Sequence, residues 1–318
     1  MTCCAALVLA AVAARGAEPD KSIVIRAGKS DSPSHVLARQ FAEAVAVAVN
    51  GAYTLVVQES QGSVQNVIDA AKPLPNYVFT AGPDVIDAAQ RGQKPFTPNR
   101  RYRDIRALVP IPAQTLNWVV RRDSGIAQLE DLAGHNFITG PKGSVAERVT
   151  TTALETLGIA KQVQIMDLDA AAAPAALKAK QVAGFALAGA YPLPAINELA
   201  RALPVRLLGL PKPALAKVLA ADETVTAETL PVGAYPGMDH AVTTLAVPAG
   251  IYTTSHMSSA TAYAITKAFW SQHAALAERN PPWSAVTFAA LGMLKAKLHE
   301  GALRYYRERH VAVPKALR

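Results

Sequence analysis

Cysteine is almost missing from this chain: 318 residues contain two, Cys3 and Cys4, both within the first few positions. If the leader is removed near residue 18, the mature chain has no thiol and no disulfide, which excludes a disulfide scaffold and a cysteine nucleophile. Aromatic residues are also scarce, at 6%. Together with abundant alanine, that suits small-residue helices packed on sheets better than a strand-dominated sandwich. Uninterrupted apolar runs near the ~20 residues of a membrane helix are lacking too, since the closest, 170–190, is broken by Pro174, Lys178 and Lys180. The seven histidines follow no metal-ligand spacing, and no GxSxG nucleophile elbow occurs. The run 140–144 (GPKGS) lacks the Lys directly after its second Gly that a phosphate loop needs. Asp167 and Asp169 stand as an isolated pair at the end of a strand-like run and read as turn formers, not as an acid and base. No cofactor and no metal are expected.

Hydrophobic residues make up 51% of the chain, enough for a large core, and the length exceeds one ordinary domain, so two lobes are expected. Residues 1–17, with the apolar run 5–14, have the length of a signal-peptide core and predict export to the periplasm or another extracytoplasmic space. The net charge of +8 comes from scattered basic residues, with Arg100, Arg101 and Arg103 as the only tight cluster and no aromatic platform beside it. That pattern fits a solvated basic surface and not nucleic-acid binding.

Along the chain, a strand, a Gly/Ser loop and a helix recur as one unit. Residues 22–26 alternate as a strand, 27–34 are loop and 36–49 are helical; 53–58, 59–63 and 64–71 repeat the order; 136–139, 140–144 and 145–157 repeat it again, ended by Gly158. Such units predict an α/β fold with parallel sheets, whose ligands bind at the carboxyl ends of the strands. Two β-like stretches, 115–120 (TLNWVV) and 243–247 (TTLAV), are expected to cross between lobes. Lobe one is then 21–114 plus 248–318, and lobe two is 116–247. The C-terminal part reads as helices over 259–278, 285–298 and 301–309.

Each of the three Gly/Ser loops sets small residues and free backbone N–H groups at a helix N-terminus, which carries about half a positive charge and attracts carboxylate or phosphate. The candidates are Gly28, Lys29 and Ser30; Gly62, Ser63, Gln65 and Asn66; and Lys142, Gly143 and Ser144. Helix capping alone explains most loops of this kind; three in equivalent places raise the weight of a binding role.

Several segments resemble the solute-binding subunits of TRAP transporters of the TRAP-associated extracytoplasmic immunogenic (TAXI) family. They are QGSVQNV at 61–67, WVVRRDSGIAQLEDLAG at 118–134, GPKGS at 140–144, GFALAGAYPLPAINEL at 184–199, YPGMD at 235–239, YAITKA at 263–268 and HEGALRYY at 299–306. Their order matches the family over nearly the whole mature chain. The first loop departs from it, with GKSDSPSH at 28–35 placing Ser34 and His35 where the family has a Tyr pair, and KPLPN at 72–76 replaces a Gly/acidic turn. The resemblance implies a type-II periplasmic-binding fold: two α/β lobes, two hinge crossings and a ligand cleft between them. It implies capture of a small organic acid or amino acid, dicarboxylate or glutamate-like, by a monomer that delivers it to the transporter's membrane subunit. The ligand carboxylate is expected at the helix N-termini of Ser63 and Ser144, with Lys29 or Lys142 adding charge. Tyr191, before Pro192, is expected to wall the cavity. The alternatives are a ligand-sensing receptor or a small-molecule enzyme on the same scaffold.

Overall fold

The computed structural model describes residues 21–30, 32–168 and 171–318. The expected export signal with Cys3 and Cys4, and Asp169, lie outside the described residues. In chain order the elements are β1 (Ser22–Arg26), α1 (Pro33–Val49), β2 (Thr54–Gln58), α2 (Ser63–Ala70), β3 (Tyr77–Ala81), α3 (Pro83–Arg91) and β4 (Ile105–Arg121). They continue as β5 (Asn136–Ile138), α4 (Val145–Thr156), β6 (Gln164–Ile165), α5 (Ala173–Lys178), β7 (Gly184–Gly189), α6 (Pro194–Ala202) and β8 (Val205–Leu208). The chain closes with α7 (Lys212–Ala221), β9 (Thr226–Leu230), β10 (Val242–Thr254), α8 (Ser259–Arg279) and α9 (Glu300–Glu308).

The expected repeats place two parallel sets at opposite ends of one sheet. β1 pairs in parallel with β2 and β3, and β5 in parallel with β6 and β7. The strand order is β2-β1-β3-β10-β4-β7-β5-β6, with β8 on β4 and β9 on β10. Burial follows position: β1 alternates, with Ile23 and Ile25 inward, whereas the more central β3 is buried at every residue.

The crossing strands run longer than their apolar patches indicated, at 17 and 13 residues, because each serves both halves. β10 pairs with β3 through Gly250–Tyr252 and with β9 through Val242–Ala246, while β4 pairs with β7 through Thr115–Val120. Their mutual ladder slips between Val247 and Ala249, where Pro248 sits opposite the stretch holding Pro112. Proline lacks the N–H a ladder requires, so the pairing is interrupted between the halves, as it is again between Ile251 and Tyr252. The core divides at the same place. One cluster draws on Ile23 through Ile111 and Ile251 through Leu317, and two others lie between Leu116 and Val247.

Two expected helices need correction. α1 begins at Pro33, three residues before the apolar periodicity, because Ser32 caps it by accepting from the His35 N–H at 3.3 Å and Pro33 is preset for a first turn. The helix expected at 285–298 does not form: 3-10 turns at Pro281–Ala285 and Phe288–Met293 take its place. Trp283 is buried there, its indole N–H held by Gln40 Oε1 at 2.7 Å. The following residues are drawn to the edge of β4, where Ala107 donates to the Lys297 carbonyl and His299 to the Ala107 carbonyl, both at 2.9 Å. Tertiary pairing overrides a helical pattern.

Candidate functional site

In lobe one the carboxyl ends of β1, β2 and β3 bring the first two loops together. Ser60 Oγ donates to the Ala27 carbonyl and accepts from the Gly62 N–H at 3.1 Å, while the Ser30 N–H donates to the Glu59 carboxylate at 3.2 Å. The Ser30 hydroxyl, before the backbone contact and the Lys29 charge, holds the Glu59 carboxyl below its ordinary range. The Gly28 N–H donates to Ser34 Oγ at 3.2 Å and its carbonyl lies 3.1 Å from His35 Nδ1, so Ser34 and His35 brace their own loop.

Gly62 has φ +106 and ψ −167, a conformation open only to glycine, and it is the residue preceding α2. Ser63 is the first helical residue and not the cap; α2 has no side-chain cap bond. Gln65 donates to Asp69 within the helix at 3.1 Å. Asn66 is fully buried, its amide N–H groups fixed on the Arg26 and Thr80 carbonyls at 3.3 and 3.0 Å, so it ties β1 to β3 instead of offering those donors to the cleft. Its Oδ1 has no partner.

In the other half, Ser144 caps α4 by accepting from the Glu147 N–H at 3.1 Å. Glu147 reaches back to accept from the Gly143 N–H, a reciprocal closure that engages the donor expected to face ligand. Lys142 is exposed. Two donors at the α4 terminus are thus engaged within the loop, whereas no side chain caps the α2 terminus.

The two halves meet at these loops. A Cβ placed on Gly189, at the end of β7, would lie 3.4 Å from the Pro33 ring at the start of α1. Ala190 packs against the first core cluster. Tyr191 is half-buried and lines a cavity of about 80 Å³ with Thr115, Glu228, Pro248 and Met293 among others. Burial, and after it the Glu228 carboxylate, push its hydroxyl pKa upward. Tyr191 alone of the sequence candidates borders this hinge-side cavity.

Sequence spacing passed over Asp84 in the first turn of α3. The signal was present: Gly82 follows β3 and Pro83-Asp84 open α3, a further strand, glycine and helix with proline at its first position and an acid in its first turn. Burial raises the Asp84 carboxyl pKa; Arg148 from α4 opposes the rise and Asp222 adds to it. Arg148 itself bonds Asp222 at 2.9 Å and Thr224 at 3.0 Å. Among the described residues no group of three or more His, Cys, Asp or Glu side chains is arranged to hold a metal ion, and no helix is long and apolar enough to cross a membrane.

A two-lobed α/β molecule joined through β4 and β10, with loops from both parallel sets facing each other, has the architecture of the periplasmic solute-binding proteins. Residues 34–309 match the model of the NMT1-like family, and the chain belongs to that family. Among solved structures it is similar to a TctC solute-binding protein from Polaromonas at 13% identity, covering 86% of this chain and 88% of that one with a TM-score of 0.53. The periplasmic binding protein BugD aligns at 13% identity over 93% of this chain and 100% of its own, TM-score 0.54. MatC from Rhodopseudomonas palustris, solved with bound malate, aligns at 11% over 90% and 98%, TM-score 0.55. At these identities the likeness is one of fold.

Proposed function

We propose that this chain is an exported solute-binding protein of the TAXI type, which encloses a small organic acid or amino acid between its lobes and delivers it to the membrane subunit of a TRAP transporter. Lobe one is 21–114 plus 248–318 and lobe two is 116–247, with 1–17 removed as the export signal. The observation that carries the reading is the approach of Gly189 to Pro33, which sets the carboxyl-end loops of one parallel set against those of the other across a crossing whose ladder is interrupted. The uncapped N-terminus of α2, with Gly62, Ser63 and Gln65, is the favoured place for a ligand carboxylate. Gly28, Lys29 and Ser30 flank it, Lys142, Gly143 and Ser144 close from the other lobe, Tyr191 walls the hinge side, and Asn66 shapes the floor. The malate in MatC is in keeping with a carboxylate ligand. The absence of thiol and elbow motifs from the mature sequence favours binding over catalysis.

Helix-terminus contacts contribute ~0.3 to 2 kcal/mol each, so micromolar affinity, about 8 kcal/mol, requires several acting together. A thermal-shift screen of dicarboxylates, amino acids and oxoacids tests the reading. A true ligand at about 100 times its Kd stabilises the fold by ~2.7 kcal/mol. A panel in which no small acid raises the melting temperature overturns it.

A further inference from the structure

A cavity walled by apolar groups stays dry and takes apolar guests; at roughly 150 Å³ such cavities accept benzene or xenon. By that scale the cavity of about 80 Å³ beside the crossing strands takes a hydrocarbon group of a few carbons. Both lobes build it. Pro110, Pro112, Pro248 and Pro282 stand in its wall, and none of the four has the backbone N–H that would meet an anion. Ala285, Val286 and Ala290, from the segment after α8, and Tyr191, from the loop after β7, close it with hydrocarbon and ring. Its position ties it to the first loop. Gly189 pairs with Thr115, which lines the cavity, and approaches the Pro33 ring. Pro33 opens α1 directly after the first Gly/Ser loop, and that loop is bonded to the one before α2 through Ser60 and the Ala27 carbonyl. The cavity therefore adjoins the loops favoured for the carboxylate, on the Tyr191 side.

Charge decides what the cavity refuses. Among the described residues Glu228 on β9 is the one charged residue in its wall. Its Oε1 accepts the Thr229 N–H at 3.3 Å, and no cation in the wall balances it. A second carboxylate entering here would meet a like charge among apolar groups, with water excluded. An ammonium group would find the one carboxylate but has three donors to satisfy, where proline, alanine and valine side chains offer no acceptor. A hydrocarbon group meets neither penalty and gains by leaving water.

We infer that this cavity receives the hydrocarbon end of the solute, so that the protein selects a monocarboxylic acid with a short apolar tail over dicarboxylates and over acids with a charged tail. The inference rests on the reading that the solute lies between the lobes. It departs from the dicarboxylate and glutamate-like solutes that the family resemblance implies. The carboxylate goes to the uncapped N-terminus of α2, and the far end is held by exclusion from water and not by a second charge.

Isothermal titration of the full chain with acetate, propionate, butyrate, isovalerate, succinate, glutarate and 4-aminobutyrate tests it. From acetate to isovalerate each added carbon should tighten binding about fourfold, the scale of burying one methylene. Succinate, glutarate and 4-aminobutyrate should bind more weakly than butyrate. Ala290→Leu fills the cavity from lobe one and should remove the gain, so that isovalerate binds no more tightly than acetate. Glu228→Gln removes the like charge with little change of shape and should narrow the gap between glutarate and butyrate; cooperative unfolding shows that both variants fold. Affinity that stays flat from acetate to isovalerate, or tighter binding of a dicarboxylate or of 4-aminobutyrate than of butyrate, overturns the inference and leaves carboxylate binding standing. A chain-length gain that survives Ala290→Leu puts the tail elsewhere and overturns it too. Silence of the whole panel overturns both readings.

Discussion

The Tyr235 hydroxyl donates to Asn117 Oδ1 at 2.9 Å while accepting the Leu193 N–H at 3.1 Å, and both side chains are buried. Asn117 in turn donates to the Thr115 carbonyl at 2.9 Å on the same strand. A single phenol thus fastens the loop after β7, which carries Tyr191, to the crossing strand β4. Tyr235→Phe strands the Asn117 oxygen and the Leu193 N–H together. A loss of ~1 to 3 kcal/mol in denaturant unfolding is expected, and an unchanged midpoint would show that the loop is held by other contacts.

Gly62 and Ser63 separate two effects that a cap would combine. A Cβ at Gly62 meets nothing within 4 Å, so Gly62→Ala carries only the strain of φ +106, ~1 to 3 kcal/mol. Ser63→Ala removes no cap and should stay within about 0.5 kcal/mol, whereas Ser144→Ala removes one and should cost ~0.5 to 2 kcal/mol. Equal losses at Ser63 and Ser144 in thermal unfolding would contradict this division.

His299 should make the fold acid-sensitive. It is buried, its Nδ1 accepts the Gly301 N–H at 3.2 Å and its Nε2 lies 3.1 Å from the Met257 carbonyl, an arrangement that fits the neutral ring with the proton on Nε2. Burial depresses its pKa below the ordinary 6.5, against smaller raising effects of the Met257 carbonyl and Glu300, with Arg106 adding slightly to the fall. Because the folded state binds the proton less readily than the unfolded, this stability is full above 6.5 and is lost as pH falls through the folded value. His299→Asn keeps an acceptor for the helix start and should flatten that part of the stability profile. An equally steep profile in the variant would assign the acid loss to other groups.

Asp84 should act with the opposite sign. Burial raises its carboxyl above the ordinary 3.8, so its contribution is greatest below that value and is lost as pH rises through the folded pKa. In the ligand-free protein Asp84→Asn is therefore expected to raise the melting temperature at neutral pH, with the gain shrinking as the medium is acidified toward 3.8. A variant less stable than the parent at neutral pH would mean that Arg148 outweighs desolvation, making Asp84 a partner in an ion pair between the lobes.

The sequence by itself determined what depends on near neighbours. The strand, glycine and helix units, the positive φ of Gly62 and the long α8 follow from local sterics, capping and apolar period, and they specify the α/β class. What only the tertiary structure decided is pairing between distant residues. The pull of Lys297 and His299 onto Ala107 undid a helix that local pattern favoured, and the Arg26 and Thr80 carbonyls took the donors of Asn66. Asp84 and Tyr252 stand far apart in the chain, and neither residue is unusual where it occurs. Only when β3 and β10 pair is the Tyr252 hydroxyl buried where the Asp84 carboxylate adds to the rise that burial causes in its pKa, and both oxygens are left without a partner. A hydrogen bond that fails to form is a property of the whole packing and leaves no mark on the residues nearby in sequence.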